Sequence, residues 1–197
     1  MLNKVFWTEQ HIKNDRENLT GSVGAQIWDS HNINHLIIPN NKVLNIGTGF
    51  GYCTRALKEK GMDVYVLDIT ENAVERVQDV ISGSWLEENI TELPSDFFDL
   101  AISHLVTQHI DDGSLGIQIK NIIRSLNKNG LFSMQFASPL GYEEIKEKVY
   151  LPGGECRWIS SMDKIIRENG GEAILFKLID RYPPYCIWFV VHMVKKC

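Results

Sequence analysis

Several things are scarce in this 197-residue chain, and each shortage excludes something. No run approaches the ~18 apolar residues needed to cross a bilayer, so no membrane span is expected. Met1-Leu2-Asn3-Lys4 leads into no apolar core of signal-peptide length. There are four cysteines, Cys53, Cys156, Cys186 and Cys197, with no C-x-x-C pair and no zinc spacing. They are expected to be reduced thiols in a cytoplasmic protein, and no metal site is expected. Basic charge is also short: 20 Lys and Arg against 25 Asp and Glu leave a net charge of -5, which argues against a broad nucleic-acid footprint. Lys120, Arg124 and Lys128, at four-residue spacing, predict one solvated helix face. Repeats, linkers and low-complexity tracts are missing too. Apolar content of 44% and charged content of 23% match a globular domain with a full core.

The most patterned stretch runs from Lys42 to Leu57. Val43, Leu44 and Ile46 make a strand-like apolar run, Gly47, Gly49 and Gly51 follow at alternate positions, and a helical pattern begins at Tyr52. Glycine there permits a tight turn and close approach of a ligand, and the helix start presents unpaired N–H groups. A dinucleotide turn reads G-x-G-x-x-G, which would place the third glycine at Tyr52. A phosphate-cradling loop would end in Gly-Lys-Ser/Thr. This chain has neither. About one βαβ unit further on, the β-rich run Asp63–Asp68 closes on a carboxylate. That interval suits an acid that reaches ribose hydroxyls from a strand's C-terminal edge.

The remaining pattern alternates. Phe6–Ile37 predicts one or two helices, in which Trp7 and Trp28 read as packing residues. Strands are predicted at Lys42–Ile46, Asp63–Asp68, Trp85–Glu88, Phe97–His104 and Leu131–Phe136, and helices at Tyr52–Lys60, Glu71–Ile81 with Thr70 as its N-cap, and Leu115–Leu126. Asn127-Lys128-Asn129-Gly130 reads as a turn. Gly141–Tyr150 reads as a polar insertion with a short helix. A last helix runs from Ser160 or Ser161 to Glu168, and Ala173–Ile179 and Cys186–Val194 are closing strands, joined by a stiff Pro183-Pro184 connection. Alternation implies an α/β fold with a parallel sheet covered on both faces, and the two late strands imply an antiparallel hairpin.

Several stretches resemble class I S-adenosylmethionine-dependent methyltransferases. Asn45-Ile46-Gly47-Thr48-Gly49-Phe50-Gly51 is similar to that family's motif I, with Asn45 where an Asp or Glu is usual. Leu67-Asp68-Ile69-Thr70 is similar to its second motif, and Asn89-Ile90-Thr91-Glu92-Leu93-Pro94 to its third. Phe98-Asp99-Leu100 through Gln108-His109-Ile110 is similar to its strand-4 motif. The resemblance covers about Lys42–Phe136 by motif and the rest by pattern. It implies a mostly parallel seven-stranded sheet with an antiparallel C-terminal hairpin, in one domain: residues 1–41 a helical cap, 42–137 the cofactor core, and 138–197 the acceptor-side insertion and closing strands. It implies S-adenosylmethionine as cofactor, held by Asn45, Gly47, Gly49, Gly51, Asp68, Ile69, Asn89, Ile90 and Ser103. Asp68 would take the ribose, Ile69 the adenine face, Asn89 the adenine amino group and the Ile90 backbone the ring nitrogens.

The expected activity is methyl transfer to a small molecule, at a hydroxyl of a sugar or natural-product intermediate, with no nucleic-acid partner. Tyr182-Pro183-Pro184-Tyr185 is misplaced for the motif of DNA adenine methyltransferases, which follows strand 4. His109 is the expected general base and His104 its rival, since neutral imidazole can accept a proton at cellular pH. A non-catalytic module that binds the same cofactor is the alternative. An NAD-dependent oxidoreductase is a third reading, disfavoured by the early third glycine.

Overall fold

The computed structural model describes residues 4–13, 22–139, 150–151, 154–182 and 186–196. Helices α1 (Lys4–Lys13) and α2 (Ser22–His31) and a 3-10 turn at Asn34–Leu36 precede strand β1 (Lys42–Ile46). Then come α3 (Tyr52–Glu59), β2 (Asp63–Asp68), α4 (Glu71–Glu75) and β3 (Gly83–Leu86). A 3-10 segment at Glu87–Glu92 leads to β4 (Phe98–Ser103), a 3-10 turn at Thr107–His109 and α5 (Asp112–Ser125). The chain continues through β5 (Leu126–Pro139), the two-residue strands β6 (Tyr150–Leu151) and β7 (Gly154–Glu155), α6 (Ile159–Glu168), β8 (Gly171–Tyr182) and β9 (Cys186–Lys195).

Seven strands form one sheet in the order β3-β2-β1-β4-β5-β9-β8. The pairs from β3 to β5 are parallel, and β9 runs antiparallel to both β5 and β8. After β3 the chain returns to the other side of β1, so the strand order reverses between β1 and β4. In an open parallel sheet the crevice beyond that reversal is where ligands sit. The late pair is a hairpin as expected, with β8 at the edge and β9 inserted beside β5.

Both faces of the central strands are buried, as continuous apolar strands require. Successive β-residues point to opposite faces. Val43, Val64, Leu100 and Ile102 therefore pack with Ile27, Trp28, Ala56 and Leu57 of α2 and α3. Leu44, Ile46, Leu67 and Ala101 pack with Leu115, Ile119 and Ile122 of α5 and Met162 and Ile166 of α6. Trp28 is a packing residue, as its pattern predicts, with 5% of its surface exposed.

Four expectations need correction. Helix α4 stops at Glu75, short of Ile81. Arg55 donates to the Arg76 carbonyl at 2.6 Å, so the segment beyond tightens into i→i+3 turns, Val80 N–H bonding to Val77 O at 3.0 Å. Strand β3 begins at Gly83 and ends at Leu86, because its register pairs Leu86 with Asp68, the last residue of β2. The turn at Asn127–Gly130 lies inside β5 as a bulge, since Phe98 pairs with Leu126 and Leu100 with Leu131. Lys120, Arg124 and Lys128 are not one solvated face: α5 ends at Ser125, and Arg124 donates to Ser95 Oγ (2.8 Å), Thr91 O (3.1 Å) and Leu93 O (2.8 Å). The insertion expected at Gly141–Tyr150 (apart from Tyr150), the Pro183-Pro184 connection and Cys197 lie outside the described residues.

Candidate functional site

Strand β1 delivers the chain into the glycine turn at the point where the strand order reverses. Gly47, Gly49 and Gly51 all have positive φ, at 69°, 53° and 85°, a region that L side chains avoid. Two of these glycines also admit protein atoms. A Cβ on Gly47 would lie 2.3 Å from Val106 Cγ2, and one on Gly51 would lie 2.5 Å from Val77 Cγ1. The turn is thus pressed from one side by the loop after β4 and from the other by the segment after α4. Its three glycine N–H groups are engaged within the protein. Gly47 donates to Leu67 O (2.8 Å), Gly51 to Thr48 O (2.8 Å) and Gly49 to Asp68 Oδ2 (3.1 Å). None of the three is left for a phosphate.

Asp68 closes the turn from the end of β2. Its Oδ1 accepts from Thr70 N (3.0 Å) and Thr70 Oγ1 (3.2 Å), while among the described residues Oδ2 has only the Gly49 bond. A carboxylate offers about four lone-pair positions, so Oδ2 keeps capacity for one ligand hydroxyl. Thr70 caps α4 as the sequence predicts, accepting from Ala73 N at 3.3 Å. Ile69, between them, is half-buried. Asn45 is turned inward: its Nδ2 donates to Thr54 Oγ1 (2.9 Å), which meets Thr48 Oγ1 at 2.5 Å. Asn45 therefore ties β1 to α3.

The third predicted motif divides in two. Ile90 is a core residue packed with Leu44, Ile46 and Leu67. Asn89 is exposed at a kink in the 3-10 segment, with φ -104° and ψ 18°, and its side chain has no hydrogen bond among the described residues. Sequence reasoning passed over Glu87. Burial raises its pKa, with the Asp68 and Asp111 charges adding to the rise. The available signal was its place just beyond β3, next in the sheet to the strand that carries Asp68.

Beyond β4 the chain turns sharply. Leu105 has φ +57°, an unfavourable conformation for a branched side chain that neighbours must hold in place. Gln135 Oε1 accepts from Leu105 N (3.2 Å), and Gln108 Nε2 donates to Leu105 O (2.8 Å). Thr107 Oγ1 donates to Gln135 O at 2.6 Å. Arg157, almost fully buried, completes the clamp. It donates to Thr107 O (2.8 Å) and Ile110 O and pairs with Asp112 (2.7 Å) and Glu155 (3.0 Å).

This loop carries both predicted histidines. His109 Nε2 meets Gln108 Nε2 at 3.1 Å, and the ring packs edge-on against Trp7 of α1, centroids 4.8 Å apart. The Gln108 amide must turn its NH2 to this contact, because its oxygen would otherwise face the Leu105 carbonyl. The bond therefore leaves Nε2 as the unprotonated nitrogen of neutral His109. His104 is half-buried, and its Nδ1 lies 3.2 Å from Nε2 of His31, the last residue of α2. Burial pushes the His104 pKa down to about 4. His31 is pushed to about 3, by burial first and then by His104, His192 and Lys177. Its role went unnoticed in the sequence, where it is one of several ring residues of the N-terminal helices.

Among the described residues four buried side-chain atoms have no partner: Tyr52 OH, Ser103 Oγ, Gln108 Oε1 and Gln118 Oε1. Tyr52 opens α3, Ser103 ends β4 and Gln108 lies on the loop, so three of the four border this sheet edge. Orphaned buried groups are rare, and each calls for a partner such as a water or a ligand.

Residues 44–134 match the family model of a methyltransferase domain. The seven-strand order and its antiparallel hairpin are those of the class I methyltransferase fold. Among solved structures, the domain is similar to 1,6-didemethyltoxoflavin-N1-methyltransferase of Burkholderia thailandensis, with a TM-score of 0.69 at 17% identity over 98% of this chain and 86% of that one. It is also similar to magnesium protoporphyrin IX methyltransferase of Synechocystis, at 0.64 and 15% over 99% and 96%. The (4+2)-cyclase SpnF superposes as well, at 0.69 and 10% over 92% and 84%. No curated protein matches the sequence. Among the described residues no helix is long and apolar enough to cross a membrane, and no cluster of side chains could hold a metal ion.

Proposed function

We propose that this chain binds S-adenosylmethionine at the C-terminal edge of β1, β2 and β4 and transfers its methyl group to a hydroxyl of a small molecule. The observation that carries the reading is the closed glycine turn. Its three glycine N–H groups are satisfied internally, while Asp68 keeps one acceptor position beside it. That suits a nucleoside without phosphates and is unsuited to a dinucleotide's pyrophosphate. Asp68 accepts from a ribose hydroxyl, and Ser103 Oγ and Tyr52 OH offer polar atoms for the rest of the ligand. Asn89 and the Ile90 backbone take the adenine edge. The two methyltransferases named above act, by their names, on small molecules. The net charge of -5 supports that acceptor class over nucleic acid.

Bound there, the cofactor supplies an activated methyl on a cationic sulfur. The chain's part is to orient the acceptor in line with it, a contribution of roughly 7–11 kcal/mol, and to take the hydroxyl proton as the new C–O bond forms. His109 does the latter. Gln108 fixes its tautomer with the lone pair on Nε2, and an incoming hydroxyl replaces the amide N–H there. A second reading, a non-catalytic module that binds the same cofactor, is favoured by Asn45, whose amide is committed to Thr54 in place of an acid facing the ligand.

Calorimetric titration with S-adenosylmethionine and S-adenosylhomocysteine tests the first claim. Wild type should bind both, and Asp68→Ala should bind about 1.5–3 kcal/mol more weakly, as expected when a charged hydrogen-bond partner is removed. Equal affinity in a folded variant would take Asp68 out of the site. No heat from either ligand with wild type would end the reading. A metabolite screen with a methyl-transfer readout then separates enzyme from binding module.

A further inference from the structure

Beside the loop after β4 lies a buried chain of polar groups that the reading above does not use. Ser133 Oγ on β5 meets His31 Nδ1 at 2.8 Å, and His31 Nε2 meets His104 Nδ1 at 3.2 Å. Opposite Ser133 in the β5–β9 register stands His192, whose Nε2–H donates to the His31 carbonyl at 2.6 Å. Two adjacent strands therefore grip the last residue of α2, one by its ring and one by its main chain. Ser133 and His31 are fully buried.

A neutral imidazole carries one proton, so the two side-chain contacts can be satisfied in only two concerted ways. In one, the Ser133 hydroxyl donates to His31 Nδ1, and His31 Nε2–H donates to His104 Nδ1. The proton of His104 then sits on Nε2. In the other every donor reverses, His104 Nδ1–H points at His31, and the Ser133 hydroxyl proton has no acceptor. Its contact with His31 is the one hydrogen bond the Ser133 hydroxyl makes among the described residues, and solvent does not reach it. An orphaned buried donor disfavours the second arrangement by on the order of ten-fold or more.

We propose that Ser133, acting through His31, sets the tautomer of His104 so that Nε2 carries the proton and His104 serves the acceptor site as a hydrogen-bond donor. His104 Nε2 has no hydrogen bond among the described residues, and the residue follows Ser103 directly at the end of β4. Its ligand would be a small molecule presenting an oxygen or an aromatic nitrogen with a free lone pair. Resting on the functional reading above, this divides the work: His109 removes a proton while His104 holds the substrate. Ser133 and His31 are positioning residues and touch nothing that reacts.

Imidazole nitrogens can be read directly by long-range proton–nitrogen correlation on the full chain labelled with nitrogen-15 in histidine. The His104 signals are assigned by their loss in His104→Gln. Near neutral pH the wild type should show a protonated Nε2 and an accepting Nδ1. Ser133→Ala should release the constraint and raise the share of Nδ1–H at His104 several-fold. Ser133→Thr, which keeps the hydroxyl, should retain the wild-type pattern. A wild-type His104 protonated on Nδ1 would overturn the proposal, and so would a folded Ser133→Ala with unchanged His104 signals. If Ser133→Ala does not fold, the wild-type spectrum decides alone. S-adenosylhomocysteine added to the same samples keeps the two claims apart: failure to bind would sink the cofactor reading and leave the tautomer result standing.

Discussion

The two histidines of the loop after β4 show how little residue type alone says about chemistry. They stand five positions apart, at 104 and 109, on one loop. One has its Nδ1 against a buried imidazole, and the other has its Nε2 against an amide N–H. Those partners determine which nitrogen holds the proton, and so which ring can accept one. His109→Ala should lower methyl-transfer turnover by about a hundred-fold with S-adenosylhomocysteine affinity almost unchanged, because a base acts in the transition state. Steady-state rates with any acceptor found by screening, alongside calorimetry, check this. Turnover at the wild-type level would remove His109 from the reaction. Sequence position brought both histidines to the same loop. Their partners, Gln108 apart, come from distant segments and could not be foreseen by spacing.

At the scale of elements, the loop after β4 owes its shape to Arg157, which reaches back from the segment between β7 and α6. The guanidinium occupies two main-chain carbonyls of the loop and two carboxylates, one of them, Glu155, largely sheltered from solvent. Removing it takes a charged donor away from each of those acceptors, and hydrogen bonds to charged groups contribute about 1.5–3 kcal/mol. Arg157→Met should therefore destabilise the fold by roughly 2–3 kcal/mol in urea denaturation, and acceptor turnover should fall with it. A loss below about 1 kcal/mol would mean that Gln135 and Gln108 suffice to hold Leu105 in its left-handed conformation. The sequence gives no hint of this clamp, since Arg157 belongs to no motif and lies some fifty residues beyond the carbonyls it binds. The glycine turn is the opposite case. Its conformation is written locally, in three residues that tolerate positive φ.

For the molecule as a whole, the buried histidines predict an acid-sensitive fold. His31 and His104 have folded-state pKa values of about 3 and 4, against 6.5 for exposed imidazole. Above about pH 6.5 both are neutral folded or unfolded, so stability is at its full value. As pH falls below that, the unfolded chain takes up protons that the folded chain refuses, and stability is lost progressively towards pH 4. The groups facing His31 (His104, His192 and Lys177) are all basic and act in the same direction. Glu87 acts oppositely, because its raised pKa favours folding as it protonates. Urea midpoints measured from pH 7.5 down to about 4.5 should fall in wild type and fall less steeply in His31→Gln. Parallel curves for the two proteins would show that His31 takes no part.

The sequence by itself determined the order of elements, the glycine turn, the carboxylate at the end of β2 and the cap on α4. Each of these rests on short-range physics: alternation along a strand, a glycine that can adopt positive φ, a threonine oxygen within reach of its own helix. The tertiary structure alone decided which groups meet across the sheet edge. Asn45 turned towards α3, Ile90 went into the core while Asn89 stayed at the surface, Arg76 lost its carbonyl to Arg55, and His31 came to rest between Ser133 and His104. Hydrogen-bond partners separated by dozens of residues are chosen by packing. Packing depends on the volume and burial of every neighbour at once, and no local pattern in the chain encodes that.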